Sequence, residues 1–184
     1  MKNLLYHYPN GNYHVKIYDD GTKVRYGDVD SFIPTFPESI DMKISNYCDM
    51  SCNFCHESST IEGKHGDLLS LVNIVSELPP GIELAIGGGN PLSHPDLRPF
   101  LVVLKSKGFI CNITVNQGHL KPYQLLITKL LEDDLIKGLG ISINSNNFTT
   151  LKQLLPLTNN IVYHLIAGIH STDTIDKLIE IDNN

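Results

Sequence analysis

Short apolar runs alternate with helix-like segments from residue 39 onward, and this alternation restricts the possible folds more than any other feature of the sequence. Runs of this length, separated by segments long enough to form a helix, are typical of strands in a parallel sheet. The predicted strands span 39–45, 82–86, 109–115, 138–143 and 161–167. Parallel strands that follow one another through helices form right-handed crossovers, so the sequence predicts an α/β fold.

Capping residues mark the helices that connect these strands. Asp67 is a suitable N-cap for an apolar stripe that covers 68–78 at helical spacing. Asp96 can cap a second helix, which Gly108 would end. The remaining helices are predicted to begin at Pro122 and to span about 149–155 and 172–181. Residues 56–66 are polar and contain two glycines, which predicts a loop.

Residues 13–26 precede this region and form a predicted β-hairpin. Its Asp20-Gly21 pair supplies the positive φ angles of a two-residue type I′ turn. Such a turn would place the apolar side chains on one face, with Ile17 opposite Val24 and Val15 opposite Tyr26. The hairpin is predicted to be an appendage of the main fold, and its functional alternatives are a substrate lid or an edge for a partner.

Three cysteines follow the first predicted strand at C-x3-C-x2-C spacing: Cys48, Cys52 and Cys55. Three soft thiolates on one short loop suit an iron–sulfur cluster or a zinc ion. A four-iron cluster normally takes four thiolates, so three cysteines would leave one iron open for a small molecule. Barrel-type α/β folds place their chemistry at the carboxyl ends of the strands, where this loop begins. The sequence therefore predicts a thiolate metal site on the loop.

Two other interpretations of the same loop stay open. A structural zinc site of Cys3His type would use His56 as its fourth ligand. The segment from Cys52 to His56 also fits the C-x-x-C-H pattern of covalent haem attachment. Haem attachment normally follows export, and the α/β pattern differs from that of a small helical cytochrome. Cys111 stands alone in an apolar run and is predicted to be a buried free thiol.

The charge balance and the hydropathy pattern narrow the choice of partners. Fourteen basic and twenty acidic residues give a net charge of −6, which disfavours a nucleic acid or an anionic membrane as the main partner. No stretch of eighteen apolar residues occurs, and the first residues do not resemble an export signal. We therefore expect a cytoplasmic protein, in which clustered cysteines serve as metal ligands or redox groups rather than as disulfides.

The cysteine loop, with the aromatic residue Phe54 before its last cysteine, resembles the signature of the radical S-adenosylmethionine (SAM) superfamily. The resemblance implies a partial (βα) TIM-like barrel of about five to six parallel strands, here preceded by the N-terminal β-hairpin. It also implies a [4Fe–4S] cluster on Cys48, Cys52 and Cys55, with SAM bound at the open iron. In that family one electron cleaves SAM to methionine and a 5′-deoxyadenosyl radical, which abstracts a hydrogen atom from the substrate.

The resemblance extends to partners and to domain organisation. It implies a small-metabolite, nucleoside or peptide substrate and an electron donor such as flavodoxin or ferredoxin. Residues 1–38 would be the N-terminal hairpin and linker, and 39–184 the radical SAM partial-barrel domain. The five predicted βα units are one short of the number usual in the family, so we expect either a trimmed barrel or a chain truncated at its C-terminus.

A glycine run after the second predicted strand, Gly87 to Pro91, resembles the Gly-Gly-Glu-Pro motif of this family. Gly88 and Gly89 match the motif, and the resemblance implies that this segment contacts the amino group of SAM. Asn90 replaces the acid. An amide oxygen can accept a hydrogen bond from an ammonium group but carries no charge, so SAM would bind more weakly or depend on backbone carbonyls.

Further SAM contacts are implied at two other strand ends. Asn116 lies roughly where the family often has Thr-Asn-Gly, and Ser142 with Asn144 resembles its Ser-x-Asp element. Phe54 is expected to lie against the adenine. Serine and asparagine also turn a chain without binding a ligand, and this simpler interpretation stays open for each of them. His164 either lines the substrate cavity or is a hydrogen-bonded core residue.

Three functions are compatible with the sequence. A radical SAM enzyme accounts for both the cysteine loop and the glycine run. A zinc-stabilised, non-catalytic binding domain accounts for the cysteines but has no need of the glycines. A degenerate radical SAM protein, which binds the cluster without cleaving SAM, is kept open by the amides of Asn90 and Asn144.

Overall fold

The computed structural model describes residues 2–158 and 160–182, and these residues form two sheets. The N-terminal sheet is antiparallel and contains β1 (Leu4–Asn10), β2 (Tyr13–Tyr18) and β3 (Lys23–Tyr26). The second sheet is parallel and contains β4 (Ser39–Ser45), β5 (Glu83–Gly88), β6 (Ile110–Asn116), β7 (Gly138–Ser142) and β8 (Ile161–His164). Its strands neighbour one another in chain order, as in a βα barrel, whereas the strand order of a doubly wound sheet reverses. The predicted partial TIM-like barrel is confirmed.

The helices that connect the strands largely match the sequence pattern. They are α1 (Leu68–Val75), α2 (Leu97–Ser106), α3 (Gln117–Leu120), α4 (Gln124–Glu132), α5 (Thr149–Leu154) and α6 (Thr172–Asp182). Asp67 caps α1 as predicted, since its carboxylate accepts hydrogen bonds from the Leu69 and Ser70 amides. Asp96 precedes α2 but makes no side-chain cap bond. The helix predicted at Pro122 begins instead at Gln124, after the short, unpredicted α3.

Alternate residues of the parallel strands pack against the helices and form the main core. The strand residues Ile44, Leu84, Ile86, Ile113 and Ile141 are at most 1% exposed, and Leu101, Leu104, Ile127 and Leu130 of the helices meet them. Each such buried side chain stabilises the fold by about 1.5–3 kcal/mol relative to an exposed one. Cys111 lies in this core, as predicted, and burial raises the pKa of its thiol to about 12.

The other face of the parallel sheet carries small and polar residues. They are Asp41 and Lys43 of β4, Ala85 and Gly87 of β5, Asn112, Thr114 and Asn116 of β6, and Gly138, Gly140 and Ser142 of β7. In a βα barrel the face that is turned away from the helices is the inner face. A barrel interior that serves only as a core is filled by bulky branched side chains, so this polar lining suits a ligand instead.

The N-terminal sheet differs from the predicted hairpin in register and in strand number. The amide of Gly21 donates to the Tyr18 carbonyl over 3.0 Å, and Gly21 has a φ of +80°, so the loop contains three residues rather than two. The extra residue shifts the register by one, and the predicted pairing was wrong: Lys16 lies opposite Val24 and Ile17 opposite Lys23. Strand β1, which pairs with β2, was not predicted.

This sheet covers the end of the barrel at which the parallel strands begin. A second apolar cluster joins it to the first residue of β6 and contains Tyr8, Tyr13, Val15, Ile17 and Ile110. Lys23 of β3 lies 2.8 Å from Glu83, the first residue of β5, and Arg25 lies 2.9 Å from Glu38. The sheet is therefore remote from the carboxyl ends of the strands, which argues against the lid interpretation.

Candidate active site

The cysteine loop leaves the carboxyl end of β4 and is held by a segment that returns along the same strand. The Cys48 amide donates to the Thr60 carbonyl over 2.9 Å, and the Gly66 amide donates to the Ile44 carbonyl over 2.8 Å. A Cβ atom on Gly63 would lie 1.9 Å from the Asn46 carbonyl oxygen, so this approach requires glycine. The predicted loop over 56–66 thus has a structural task, which is to fix the backbone that carries the cysteines.

The three cysteine thiols are free and lie at the protein surface or just beneath it. Cys48 is buried, whereas Cys52 and Cys55 are half-buried. Ser51, between the first two cysteines, has a φ of +50°, a left-handed conformation that a non-glycine residue rarely adopts. The Cys55 amide donates to the Cys52 carbonyl over 3.1 Å, which closes a tight turn. The loop therefore presents three thiols from a short, constrained piece of backbone.

The four ligands of the Cys3His zinc alternative are not brought together by the described residues. His56, the fourth ligand of the Cys3His alternative, has an 89% exposed side chain that lies 3.3 Å from Glu57. One tetrahedral zinc ion with Zn–S bonds near 2.3 Å would bring its ligand atoms within ~4 Å of one another. Among the described residues, a set of three possible ligand atoms within 4.8 Å of one another comprises Cys48, Asp49 and His119, and not the three cysteines. In a cluster, each thiolate binds a different iron.

Gly88 and Gly89 are required where the end of β5 meets the beginning of the cysteine loop. Gly88 has a φ of +120°, and a Cβ atom on it would lie 2.4 Å from the Ser45 carbonyl oxygen. The Gly89 amide donates to that oxygen over 2.7 Å, and the Asn90 amide donates to the Tyr47 carbonyl over 2.6 Å. The glycine run thus positions the cysteine loop, in addition to any contact with a ligand.

Asn90 is fully buried, and only one of the two polar atoms of its side-chain amide makes a hydrogen bond. Its Oδ1 accepts a hydrogen bond from the Leu92 amide over 3.2 Å and caps the short turn Pro91–Ser93. Its Nδ2 is buried and has no hydrogen-bond partner among the described residues. A buried, unpaired donor is destabilising unless a ligand or water satisfies it, and such groups are typical of functional sites.

A buried histidine that the sequence did not single out lies next to this amide. His119 is 1% exposed, and its Nε2 lies 2.8 Å from Asp49 Oδ1. Burial is the largest single influence on Asp49 and would raise its pKa, but several smaller effects together lower the pKa. The first of these is the hydrogen bond from His119, and the last and smallest is a weak interaction with the Asn90 side chain. Asp49 directly follows Cys48, so this hydrogen bond ties α3 to the cysteine loop.

The predicted residues Asn116 and Asn144 come together beside Cys52. Asn116 Nδ2 donates to Cys52 Sγ over 3.8 Å, while its Oδ1 accepts from Gly118 N over 2.8 Å and from Asn144 Nδ2 over 2.6 Å. Gln117 was not predicted and fixes the loop that carries Asn144. Its Oε1 accepts hydrogen bonds from the Asn144 and Ser145 amides, each over 2.9 Å.

The remaining predicted residues lie at the same end of the barrel or on its inner face. Ser142 is half-buried at the end of β7, next to Asn116 and His164 in the register of the sheet. His164 is exposed, so the interpretation as a core histidine was wrong; its ring lies over Gly140, where a Cβ atom would be 3.2 Å from Cε1. Phe54 is 51% exposed, and its contact with adenine stays a prediction.

Comparison of the sequence with known protein families identifies the class of protein. The model of the radical SAM superfamily matches residues 42–181, which is most of the chain and includes every part of the site described above. The protein belongs to the radical SAM superfamily. No curated protein gives a significant match. Among the residues that the structure describes, no helix has the length and apolarity needed to cross a membrane.

Proposed function

We propose that the protein is a radical SAM enzyme in which Cys48, Cys52 and Cys55 hold a [4Fe–4S] cluster. Family membership and the three cysteines on one loop support SAM-dependent radical chemistry. The cluster would deliver one electron to SAM bound at its open iron and so generate the 5′-deoxyadenosyl radical that abstracts hydrogen from the substrate. The task of the chain is to hold and orient these groups and to keep water and competing hydrogen donors away.

One observation carries the proposal, and it is the convergence of three separate strand ends on the cysteine loop. The end of β5 reaches the loop through the hydrogen bond from Gly89 to Ser45, and the end of β6 reaches it through the contact of Asn116 with Cys52. The end of β7 joins them through Asn144. Convergence of the carboxyl ends of several strands is how βα barrels assemble active sites.

The SAM pocket in this proposal combines backbone and amide groups. It is formed by Phe54, Gly88, Gly89, Asn90, Asn116, Ser142 and Asn144. The unpaired Asn90 Nδ2 supports a ligand acceptor close to Asn90, since the SAM carboxylate or ribose could accept its hydrogen bond. The Asn116 side chain already uses both of its ends within the protein, so its part is to support neighbours rather than to grip SAM.

The substrate and the redox partner belong to the same proposal. A small metabolite, nucleoside or peptide would bind over the polar inner face of the barrel, near Thr114, Gly140 and His164. An electron donor of the flavodoxin or ferredoxin class would reduce the cluster, and the reaction would take place in the cytoplasm. We further propose residues 1–38 as the N-terminal segment and 39–184 as the catalytic domain.

Anaerobic reconstitution with iron and sulfide tests the proposal. We expect a brown protein whose reduced [4Fe–4S] electron paramagnetic resonance (EPR) signal shifts when SAM is added, and which forms 5′-deoxyadenosine. Cys52→Ala should lose the cluster, whereas Cys111→Ala, the matched control at the buried cysteine, should keep it. A colourless protein with stoichiometric zinc would instead support a zinc-stabilised binding domain.

A degenerate radical SAM protein is the second candidate, and the Asn90 side chain favours it. Its Oδ1 already accepts a hydrogen bond from Leu92, so the amide offers the SAM ammonium less than a free carboxylate would. A cluster that forms normally but whose EPR signal does not respond to SAM would establish this candidate. Formation of 5′-deoxyadenosine above the level of the Cys52→Ala variant would exclude it.

A further inference from the structure

The side chain of Asn116 lies between a predicted cluster ligand and the end of β7. Its Oδ1 accepts hydrogen bonds from the Gly118 amide, at 2.8 Å, and from Asn144 Nδ2, at 2.6 Å. Its Nδ2 lies 3.8 Å from Cys52 Sγ, within the range of a hydrogen bond to sulfur. These contacts join Asn144, Asn116 and Cys52 in a single row of hydrogen bonds.

The orientation of the Asn116 amide follows from its partners. The two ends of an amide have nearly the same shape, but a backbone N–H can only donate. The Gly118 amide therefore requires Oδ1 at its end of the side chain, which leaves Nδ2 to face Cys52. Asn116 also caps α3, so its backbone and side chain are both fixed. The donor is aimed at the sulfur by the fold and does not depend on a ligand.

We propose that Asn116 is a positioning and tuning residue, which donates a hydrogen bond to the Cys52 thiolate and thereby raises the reduction potential of the cluster, and that Asn144 keeps it in place. The inference rests on the proposed function, because it takes Cys52 as a cluster ligand. One-electron reduction adds negative charge to the cluster and its sulfurs. A donor at a ligand sulfur stabilises that added charge, so it favours the reduced state.

The surroundings of the thiols explain why this contact matters at Cys52. Cys52 is half-buried, so water does not fully replace a lost protein donor. Cys48 lies instead beside the carboxylate of Asp49, which opposes added negative charge. Loss of the donor at Cys52 would remove a group that stabilises the added negative charge, while the opposing carboxylate of Asp49 would stay. The cluster would therefore become harder to reduce.

Redox titration of the reconstituted protein, followed by EPR, tests the inference without relying on turnover. Asn116→Ala removes the donor, and we expect a more negative midpoint potential. Asn116→Asp keeps the oxygen that accepts from Gly118 and Asn144 but replaces the donor by a charged oxygen, so its shift should be larger in the same direction. Asn144→Ala removes only the support of Asn116 and should give the smallest shift.

The matched control is Asn112→Ala on the same strand and face. Four residues separate Asn112 from Asn116, about 13 Å along the strand, so its midpoint potential should equal that of the unmodified protein. Equal potentials in the Asn116 variants and the unmodified protein would overturn the inference, as would an equal shift in Asn112→Ala. If Asn116→Ala fails to assemble a cluster, an unchanged potential in Asn144→Ala and Asn116→Asp would still overturn it. Failure of the proposed function is distinct, since the unmodified protein would then give no [4Fe–4S] signal.

Discussion

The two ends of the barrel differ in the side chains that they bury. At the end where the strands begin, charged side chains are paired: Arg25 lies 2.9 Å from Glu38, and Lys23 lies 2.8 Å from Glu83. At the carboxyl end, Asn90 Nδ2 and His119 Nδ1 are buried and have no hydrogen-bond partner among the described residues, and the same holds for the Tyr8 hydroxyl at the first end. Buried polar groups are normally satisfied, so the two unpartnered nitrogens beside the cysteine loop support the proposal that a ligand binds at this end.

The two ends of the parallel sheet thus have different tasks: one stabilises the fold, and the other carries the proposed site. The N-terminal sheet closes the first end with an apolar cluster. The second end uses glycines, amides and free thiols, which contribute little apolar burial. βα barrels commonly divide these tasks between their two faces. Substitutions at the two ends should therefore separate the stability of the fold from the assembly of the site.

Gly88→Ala is expected to have the largest effect, because it acts on both properties. Alanine is strained at a φ of +120°, and its Cβ would overlap the Ser45 carbonyl oxygen. Strain and overlap together should lower the free energy of unfolding by about 4 kcal/mol and displace the cysteine loop. Urea denaturation measures the loss. Gly168→Ala is the matched control, with a φ of +83° and no atom within 4 Å, and should lose only about 1 kcal/mol.

Ile17→Ala should be the next largest change, and it should affect stability alone. Ile17 is 1% exposed in the cluster at the closed end, and such truncations typically lower the free energy of unfolding by about 3 kcal/mol. Val24→Ala, on the outer face of the same sheet and 40% exposed, should lose less than about 0.5 kcal/mol. If Ile17→Ala also abolished the response of the cluster to SAM, the two ends would not be independent.

The parts of this architecture that could be predicted are those that depend on short stretches of chain. The five parallel strands and the cap at Asp67 follow from local periodicity and capping, and the cysteine spacing identifies the loop on its own. The hairpin register failed because a turn of three residues and one of two residues share the same Asp-Gly signal. Strand β1 was missed although its tyrosines, Tyr6 and Tyr8, alternate with other residues as in a strand.

The unpredicted site residues depend on contacts between distant parts of the chain. His119 pairs with Asp49, which lies 70 residues earlier, and no spacing within the sequence encodes that contact. Gln117 acts on Asn144, 27 residues later. The available signal was the Asn116-Gln117-Gly118 sequence itself, since asparagine favours the N-cap of a helix and so predicts a helical turn where α3 lies.

Asn90→Asp tests the carboxyl end of the barrel, because it replaces a buried donor that has no full hydrogen bond with a carboxylate. The aspartate can keep the cap at Leu92 and offer a charged oxygen to the SAM ammonium. A charge-assisted hydrogen bond exceeds a neutral one by about 1 kcal/mol, so we expect SAM to bind about fivefold more tightly. Calorimetric titration of the reconstituted protein with SAM measures the change. Asn160→Asp adds the same charge before β8, at the opposite end, and should leave the affinity unchanged. Weaker binding in Asn90→Asp would contradict the prediction and mean that the new carboxylate meets an acceptor on SAM or is repelled by Asp49.

Glu38→Gln should have the smallest effect, and the effect should depend on pH. Burial is the largest single influence on Glu38 and would raise its pKa, but the hydrogen bonds from Arg25 and Tyr13 and the positive charges of Arg25 and Lys23 together outweigh it and lower the pKa. The unfolded chain therefore binds this proton more readily than the folded one, so the contribution of Glu38 is complete above its unfolded pKa and disappears as the pH falls through its folded pKa. At neutral pH the variant should be about 1–2 kcal/mol less stable by urea denaturation, and below about pH 4 the difference should shrink.

The matched control is Asp173→Asn, in an exposed pair with Lys177, which should change stability by less than about 0.5 kcal/mol. An equally small and pH-independent effect in Glu38→Gln would mean that the paired charges at the closed end are incidental to its stability.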